Sequence, residues 1–400
     1  MERHKILLPA IWLIVLIAGL PQFAETVYTP SLPDIAAALH TSDSMAEYTL
    51  TIYLIGFAIG TLFWGKLSDK FGRKPCVLAG LAIFIVGCAG CYFSSTIGML
   101  MSYRFIQAFG GSIGSVLGQA ICRDAYHGPA LGKAYASVGI AMAVFPAIGP
   151  VIGGLIAQYL DWPSIFLFLI LCAIALSIIL TWRLPETHHA DNRKPVSIIE
   201  VILSLVKNKK VIGFAFIVGA CNGIMFSYFA EGPFYFIELL ALSPSQYGLS
   251  FIATALSSML GGMLSKKLHK THKSEIIMGY GLVIILMASL ASSILVLTHS
   301  YILALPTTGI IILSLAAQMA IMFGMCMAVS NALALALVDY KSCIGTASSL
   351  FGSFYYALIA LFTLGMGYLH NDTLVVMPLY FLGLSVFMLI IQKLMKKNLA

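Results

Sequence analysis

Long apolar runs, broken by short polar stretches, organise this chain from end to end. A membrane-spanning helix needs about 20 mainly apolar residues. Twelve runs meet that length, with approximate limits 6–29, 45–65, 76–95, 98–121, 132–159, 163–183, 210–238, 245–265, 275–297, 302–337, 343–369 and 373–394. Only one interval between runs is both long and polar, PETHHADNRKPVSIIEVILSLVKNK at 185–209. Within it, residues 197–206 alternate apolar and polar positions as a short interfacial helix would. The pattern predicts an all-α integral membrane protein with a six-helix half at 1–184, a linker at 185–209 and a second six-helix half at 210–400.

Composition sharpens this reading. The 400 residues are 60% hydrophobic and 10% charged, against about 25% charged in an average soluble domain. Such a chain cannot cover its own surface with polar groups, so the bilayer is its expected partner. The first run lacks a small-residue cleavage site and reads as a span, not a removable leader. Lys66, Lys70, Arg73, Lys74, Arg123, Lys133, Lys266, Lys267, Lys270, Lys273 and Lys341 fall at one side if the N-terminus is cytoplasmic. The linker cluster and both termini share that side. The opposite loops carry Asp34, Asp43, Asp161, Glu238 and Asp372 but no Lys or Arg. By the positive-inside rule both termini are cytoplasmic. The net charge of +7 then reflects topology, not nucleic-acid binding. The eight cysteines are scattered through or beside the apolar runs and read as packing thiols. Neither a disulfide frame nor a metal site is indicated.

The two halves echo each other. GKLSDKFGRK at 65–74 follows the second run, and GMLSKKLHKTHK at 262–273 follows the eighth. Parallel repeats of this kind belong to secondary transporters. Gly65-Lys66-Leu67-Ser68-Asp69-Lys70-Phe71-Gly72-Arg73-Lys74 resembles the signature after the second helix of the major facilitator superfamily. Arg104-Phe105-Ile106-Gln107 resembles its fourth-helix arginine motif, with Ala108 where a glycine usually follows. Gly149-Pro150-Val151-Ile152-Gly153-Gly154 resembles its fifth-helix antiporter motif, with Phe145 at the usual small leading position. YTPSLP (28–33), CRDAY (122–126), LPET (184–187), EGPFYFIE (231–238) and GTASSL (345–350) are similar to the bicyclomycin/chloramphenicol-resistance branch. That resemblance implies proton-coupled drug efflux across a bacterial inner membrane. The branch's first-helix acid is an aspartate where this chain has Thr26, with Glu25 beside it. Its EGPF glutamate, Glu231 here, is usually a small residue.

An acid or arginine in mid-span costs about 2.5–3.5 kcal/mol to insert, so such residues face cavities and carry function. Three stand out. Glu25 and Glu231 both occur in the tripeptide Phe-Ala-Glu, half a chain apart, and Arg104 lies in the fourth run. A carboxyl group out of water can be protonated in one conformation and ionised in another. Proton coupling is therefore expected at Glu231 and Glu25, with Arg104, beside Gln107 on its own face, either a switchable partner of Glu25 or a fixed structural arginine bonded to carbonyls. The rival reading of each acid is a side chain reaching water at the outer end of its helix. Ser227, Tyr228, Phe234 and Tyr235 share the helical face of Glu231, and Tyr28 that of Glu25. With Tyr53, Asn222, Gln318, Asn331 and Tyr355 they are the expected substrate-lining residues, in a pocket between the halves. Pro21, Pro30 and Pro33 predict an irregular first helix, and Gly232-Pro233 a loosened seventh. Gly65, Asp69, Gly72, Arg73, Lys74, Arg123, Gly149, Pro150, Gly153 and Gly154 are expected conformational parts. Among them, Asp69 would pair with Arg73 or Arg123 to latch the halves.

Other classes fit less well. Gly110-Gly111-Ser112-Ile113-Gly114 matches the nucleophile pattern G-x-S-x-G, but lies in an apolar helix and not at a strand–helix turn. His188 and His189 lack the spacing of a zinc helix, and the chain contains no phosphate-loop motif. A channel would need a ring of repeated filter segments. An importer of a nutrient or metal chelate needs the same carboxylates as an exporter, and the fifth-helix motif favours export. The expected protein is not an enzyme. It is a monomeric transporter of a small amphipathic molecule, with the proton as coupling ion and no other cofactor.

Overall fold

The computed structural model describes residues 8–187, 198–303 and 305–397. Among them there is no strand. Fifteen helices follow in order: α1 Ile11–Thr26, α2 Leu32–Ala38, α3 Asp43–Phe71, α4 Arg73–Tyr92, α5 Ile97–Gly111, α6 Ile113–Ala125, α7 Gly128–Tyr159, α8 Pro163–Arg183, α9 Ile198–Lys207, α10 Lys209–Pro233, α11 Pro244–Leu268, α12 Ser274–Tyr301, α13 Thr307–Ala336, α14 Ile344–Leu369 and α15 Val376–Lys397. With α9 set aside, α1 joined to α2, α5 to α6 and α10 to the turn after it, they make twelve segments long and apolar enough to cross a membrane.

Prolines shape the segments that matter most. Pro21 has no N–H for the Ile17 carbonyl, and that carbonyl instead lies against Gly114 of α6, where a Cβ would overlap it. Pro30 likewise leaves the Thr26 carbonyl free. The Thr29 hydroxyl donates to that carbonyl at 2.9 Å while the chain makes a 3₁₀ turn over Thr29–Ser31 before re-forming as α2. After Pro233 the seventh span relaxes into a π-helical turn, Phe234–Leu239. These breaks fall where the prolines predicted them. The boundary between the ninth and tenth spans differs from the expected 302: α12 runs on to Tyr301, and Pro306 starts α13 at Thr307. Hydrophobicity is continuous there, and proline geometry decides.

The first six and the last six spans meet along two seams, α3 against α14 and α7 against α11. On the first, Thr61 and Ser353 share a hydrogen bond of 2.7 Å, and the Ser353 hydroxyl also donates to the Ala58 carbonyl at 3.2 Å. On the second, glycines permit backbone contact. A Cβ on Gly154 would strike the Pro244 carbonyl, and one on Gly248 would strike that of Pro150. The short helix expected within the linker is α9. Tyr340 binds it through Ser204 at 3.2 Å and Asn208 at 3.3 Å. His188 and His189 lie outside the described residues.

Candidate transport site

Glu25 lies in the last turn of α1, next to the break, and is 1% exposed. The fifth-helix motif holds this break in place. A Cβ on Gly149 would hit Thr26, and one on Gly153 would overlap the Val27 carbonyl. Glu25 does not reach water along its side chain. Its Oε1 has no hydrogen-bond partner. Arg104 of α5 is within electrostatic reach, as are Tyr355 and Tyr356 of α14 across the seam.

Arg104 is fully buried. Its guanidinium sits 3.8 Å from the Tyr28 ring centroid and 4.2 Å from that of Tyr53. Its Nη1 donates to Gln107 Oε1 at 2.6 Å and to the Ala24 carbonyl at 3.5 Å. Desolvated cation–π contacts are worth about 2 kcal/mol or more each, so two rings hold this charge without a contact ion pair. The expected Arg104–Glu25 pairing is thus replaced here by aromatic faces and Gln107. Among the described residues no ion pair joins the two. Tyr53 also donates to the Pro21 carbonyl at 3.2 Å, and Tyr28 shares a bond of 3.1 Å with Thr49. Below Tyr53 an aromatic column crosses the seam. Tyr53 stacks near Phe57 at 6.3 Å, Phe57 on Tyr356 at 4.5 Å and Tyr356 on Tyr355 at 5.2 Å.

Glu231 belongs to a different place. It is also 1% exposed, but it faces the turn between α14 and α15. Nδ1 of His370 lies 2.9 Å from Glu231 Oε2 and 3.3 Å from Glu47 Oε1, while Nε2 lies 3.0 Å from Asp372 and 3.6 Å from Asp43. Phe234 packs its ring against His370 at 5.5 Å. Burial works against a charge on His370, but the hydrogen bonds and charges of Glu231 and then Asp372 outweigh it and push its pKa up to about 9. Sequence reasoning missed Glu47 and His370. The first sits one turn inside its helix end and the second in a loop, so neither looks like a charge in mid-membrane.

The remaining lining candidates divide. Tyr235 bonds Ser314 of α13 at 2.9 Å, and Ser227 is buried on the same helix. Tyr228 packs into a cluster with Tyr247 at 6.2 Å and Phe251 at 5.6 Å, within the last six spans. Asn222 bonds back to the Val218 carbonyl at 2.9 Å. Asn331 donates to Ser265 of α11 at 3.0 Å, tying two neighbouring helices together. Gln318 is buried with its Nε2 unpartnered.

The GKLSDKFGRK segment is a charge network. Gly72 takes φ +101°, where a side chain would be strained, and so separates α3 from α4. Arg73 bonds Asp69 at 2.6 Å, Asp124 at 2.7 Å and Ser68 at 2.7 Å. Glu186 accepts from the Arg73 and Lys74 backbone N–H groups at 2.8 and 3.1 Å, capping the start of α4. Lys74 Nζ reaches the Thr181 carbonyl at 2.8 Å. Asp69 pairs with Arg73, while Arg123 lies half-buried at the end of α6. The described contacts of Asp69 and Arg73 all stay within the first six spans, so the expected latch between halves is corrected to a clamp within one of them. Gly65 faces the other side, where a Cβ would meet Ser349 of α14 at 3.6 Å. The glycines of Gly110–Gly114 serve packing, as a Cβ on Gly110 would strike the α4 backbone at Phe84.

Twelve spans with charges buried at an internal seam define a polytopic membrane transporter. The family model described as Major Facilitator Superfamily matches residues 11–364, and the chain belongs to that superfamily. An uncharacterized transporter of Rickettsia bellii is 38% identical over 380 residues, 94% of this chain and 93% of the relative. A bicyclomycin resistance protein homolog of Haemophilus influenzae is 28% identical over 270 residues, 67% and 68% of the two chains. This relative agrees with the branch that the local motifs resemble. Among solved structures, a bacterial homolog of the human lysosomal transporter Spinster, inward-facing and unoccupied, superposes with TM-score 0.74. It covers 96% of this chain and 95% of its own at 14% identity, which speaks for the fold alone.

Proposed function

We propose that the chain exports small amphipathic molecules in exchange for protons by alternating access, with Glu25 as the proton-carrying group. The observation that carries this reading is the setting of Glu25. It is a buried carboxyl group at a helix break, beside a fixed cation in its own half and two tyrosines of the opposite half. Movement of one half against the other changes that environment, which is what coupling a proton to a conformational cycle requires. The aromatic column from Tyr53 to Tyr356 offers flat apolar surface with hydroxyl tips, suited to an amphipathic ligand. The name of the Haemophilus influenzae relative supports a drug-like substrate class.

On this reading 1–184 and 210–400 are the rocking halves, and 185–209 links them on the cytoplasmic side of a bacterial inner membrane with both termini. The protein works as a monomer in the bilayer, binds no nucleic acid and uses the proton as its coupling ion. Arg104 holds the field around Glu25. Glu231 is assigned to the seam at the acid-rich end, apart from the proton path. The test is exchange in proteoliposomes. With an imposed pH gradient, bicyclomycin or a fluorescent lipophilic amine should accumulate against its gradient while the pH gradient runs down. Uptake in the direction of proton flow would replace export by symport. Flux indifferent to pH would remove proton coupling.

A further inference from the structure

The acid-rich end brings five ligand-bearing side chains together from both sides of the seam. Asp43 and Glu47 come from α3, Glu231 from α10, and His370 and Asp372 from the turn after α14. Glu238 and, further off, Asp34 add negative charge nearby. The loops at this end contain no Lys or Arg that could balance these acids. Glu47 carries the argument further. Its side chain is 1% exposed, points into the cluster, and neither carboxylate oxygen has a hydrogen-bond partner. With only His370 Nδ1 near it, at 3.3 Å, a buried carboxylate is expensive as a lone charge, and either a proton or a bound cation relieves it.

We propose that Glu47, Glu231 and Nδ1 of His370 form a site for a divalent transition-metal ion of the Zn2+ class, bridging the first and last six spans. One donor atom from each lies within 4.8 Å of the other two. The separations from Nδ1, 2.9 Å to Glu231 and 3.3 Å to Glu47, suit a common metal: bonds of about 2.0–2.1 Å in a tetrahedron place ligand atoms about 3.3 Å apart. Nε2 of His370 faces Asp372 at 3.0 Å. A carboxylate accepting from the far nitrogen fixes the tautomer that leaves Nδ1 free for metal, the arrangement commonly found behind metal-binding histidines. One imidazole with two carboxylates favours Zn2+ over the oxygen-loving Mg2+ or Ca2+. On binding, the ion displaces the imidazole proton. Sequence spacing could not indicate this site, because its ligands come from three distant stretches.

The experiment uses the full-length protein in detergent, stripped with a chelator and titrated with ZnCl2 in a calorimeter. One ion should bind saturably per chain. Glu47→Gln and His370→Gln, one on each side of the seam, should each weaken binding by more than the about tenfold typical of losing an outer-shell partner. Asp372→Asn should weaken it less. X-ray absorption of the wild-type zinc complex needs no variant, and should show a light-atom shell of nitrogen and oxygen without sulfur. Zinc should also raise the melting temperature of the wild type but of neither ligand variant. No saturable binding would mean that the cluster holds protons alone and would overturn the site. So would a sulfur shell, which would place the ion on cysteines, or wild-type affinity in both variants. None of these readouts involves transport, so they stand or fall apart from the export reading.

Discussion

Glu25→Gln is the sharpest perturbation of the proposed coupling. Glutamine keeps the size and shape of the side chain, so the tight packing around the helix break at Gly149 and Gly153 is undisturbed. What it removes is the titrating group. If Glu25 carries one proton per cycle against a neutral substrate, each pH unit across the membrane supplies about 1.4 kcal/mol, a tenfold substrate gradient. The exchange is then also electrogenic. A potential of 100 mV adds about 2.3 kcal/mol per charge, equivalent to about fiftyfold. In proteoliposomes the wild type should approach those limits, whereas Glu25→Gln should equilibrate substrate without accumulating it and respond to neither pH nor voltage. Glu25→Asp is the companion. It retains the carboxyl group on a shorter arm, and should keep the gradient while cycling more slowly. A direct check adds substrate to weakly buffered protein in detergent, where one proton per wild-type chain should be released and none from Glu25→Gln. A tenfold gradient per pH unit surviving in Glu25→Gln would refute the assignment, because glutamine cannot bind and release a proton in this range.

Three further expectations concern the scaffold. Arg73 is buried between Asp124, at 19% side-chain exposure, and Asp69, at 64%. Asp124→Asn should therefore destabilise by about 3 kcal/mol and Asp69→Asn by less than about 1 kcal/mol, and thermal melting in detergent should rank them in that order. Gly153→Val forces a side chain against the Val27 carbonyl and should cost about 1–3 kcal/mol in overpacking; an unchanged melting temperature would contradict the close contact of α1 with α7. In a cysteine-free background, Lys70→Cys and Lys267→Cys should label from the cytoplasm only and Asp161→Cys from the opposite side. Labelling of either lysine position from outside would break the proposed topology.

What the chain disclosed by sequence alone is what local rules control. The twelve spans follow from hydrophobic length, and the breaks after Thr26 and Pro233 follow from prolines that cannot donate to the preceding turn. The expected tenth-span start at 302 failed because the apolar run continues through a region where Pro306 sets the boundary. The site was legible only in part. Glu25, Arg104 and Glu231 declared themselves as charges in apolar sequence, and all three are buried. Their partners were not readable, since pairing depends on which helices abut. Arg104 rests on Tyr28 and Tyr53, not on Glu25, and Arg73 takes the expected Asp69 but adds Asp124 from a distant helix. Asn331 and Tyr228 look like pocket residues by type, and their contacts with Ser265 and Phe251 could not be read from the sequence.

The two Phe-Ala-Glu segments then illustrate how one local feature can serve two ends. Each places a carboxyl group inside its helix, beside a proline that unsettles the backbone. Glu25 meets a permanent cation already held by two aromatic rings, so its charge can be tolerated or given up as the neighbouring half moves. Glu231 meets Glu47, Asp43, Asp372 and a single imidazole, four acids around one base. The first environment favours a group that changes state during a cycle. The second favours a cluster that captures a cation and is steadied by it. Because the second cluster draws ligands from both sides of the seam, separation of the halves at that end must pull it apart. A cation bound there would oppose opening toward the acid-rich side, so the rate of that step should fall as the site fills, whether or not Glu25 carries the proton.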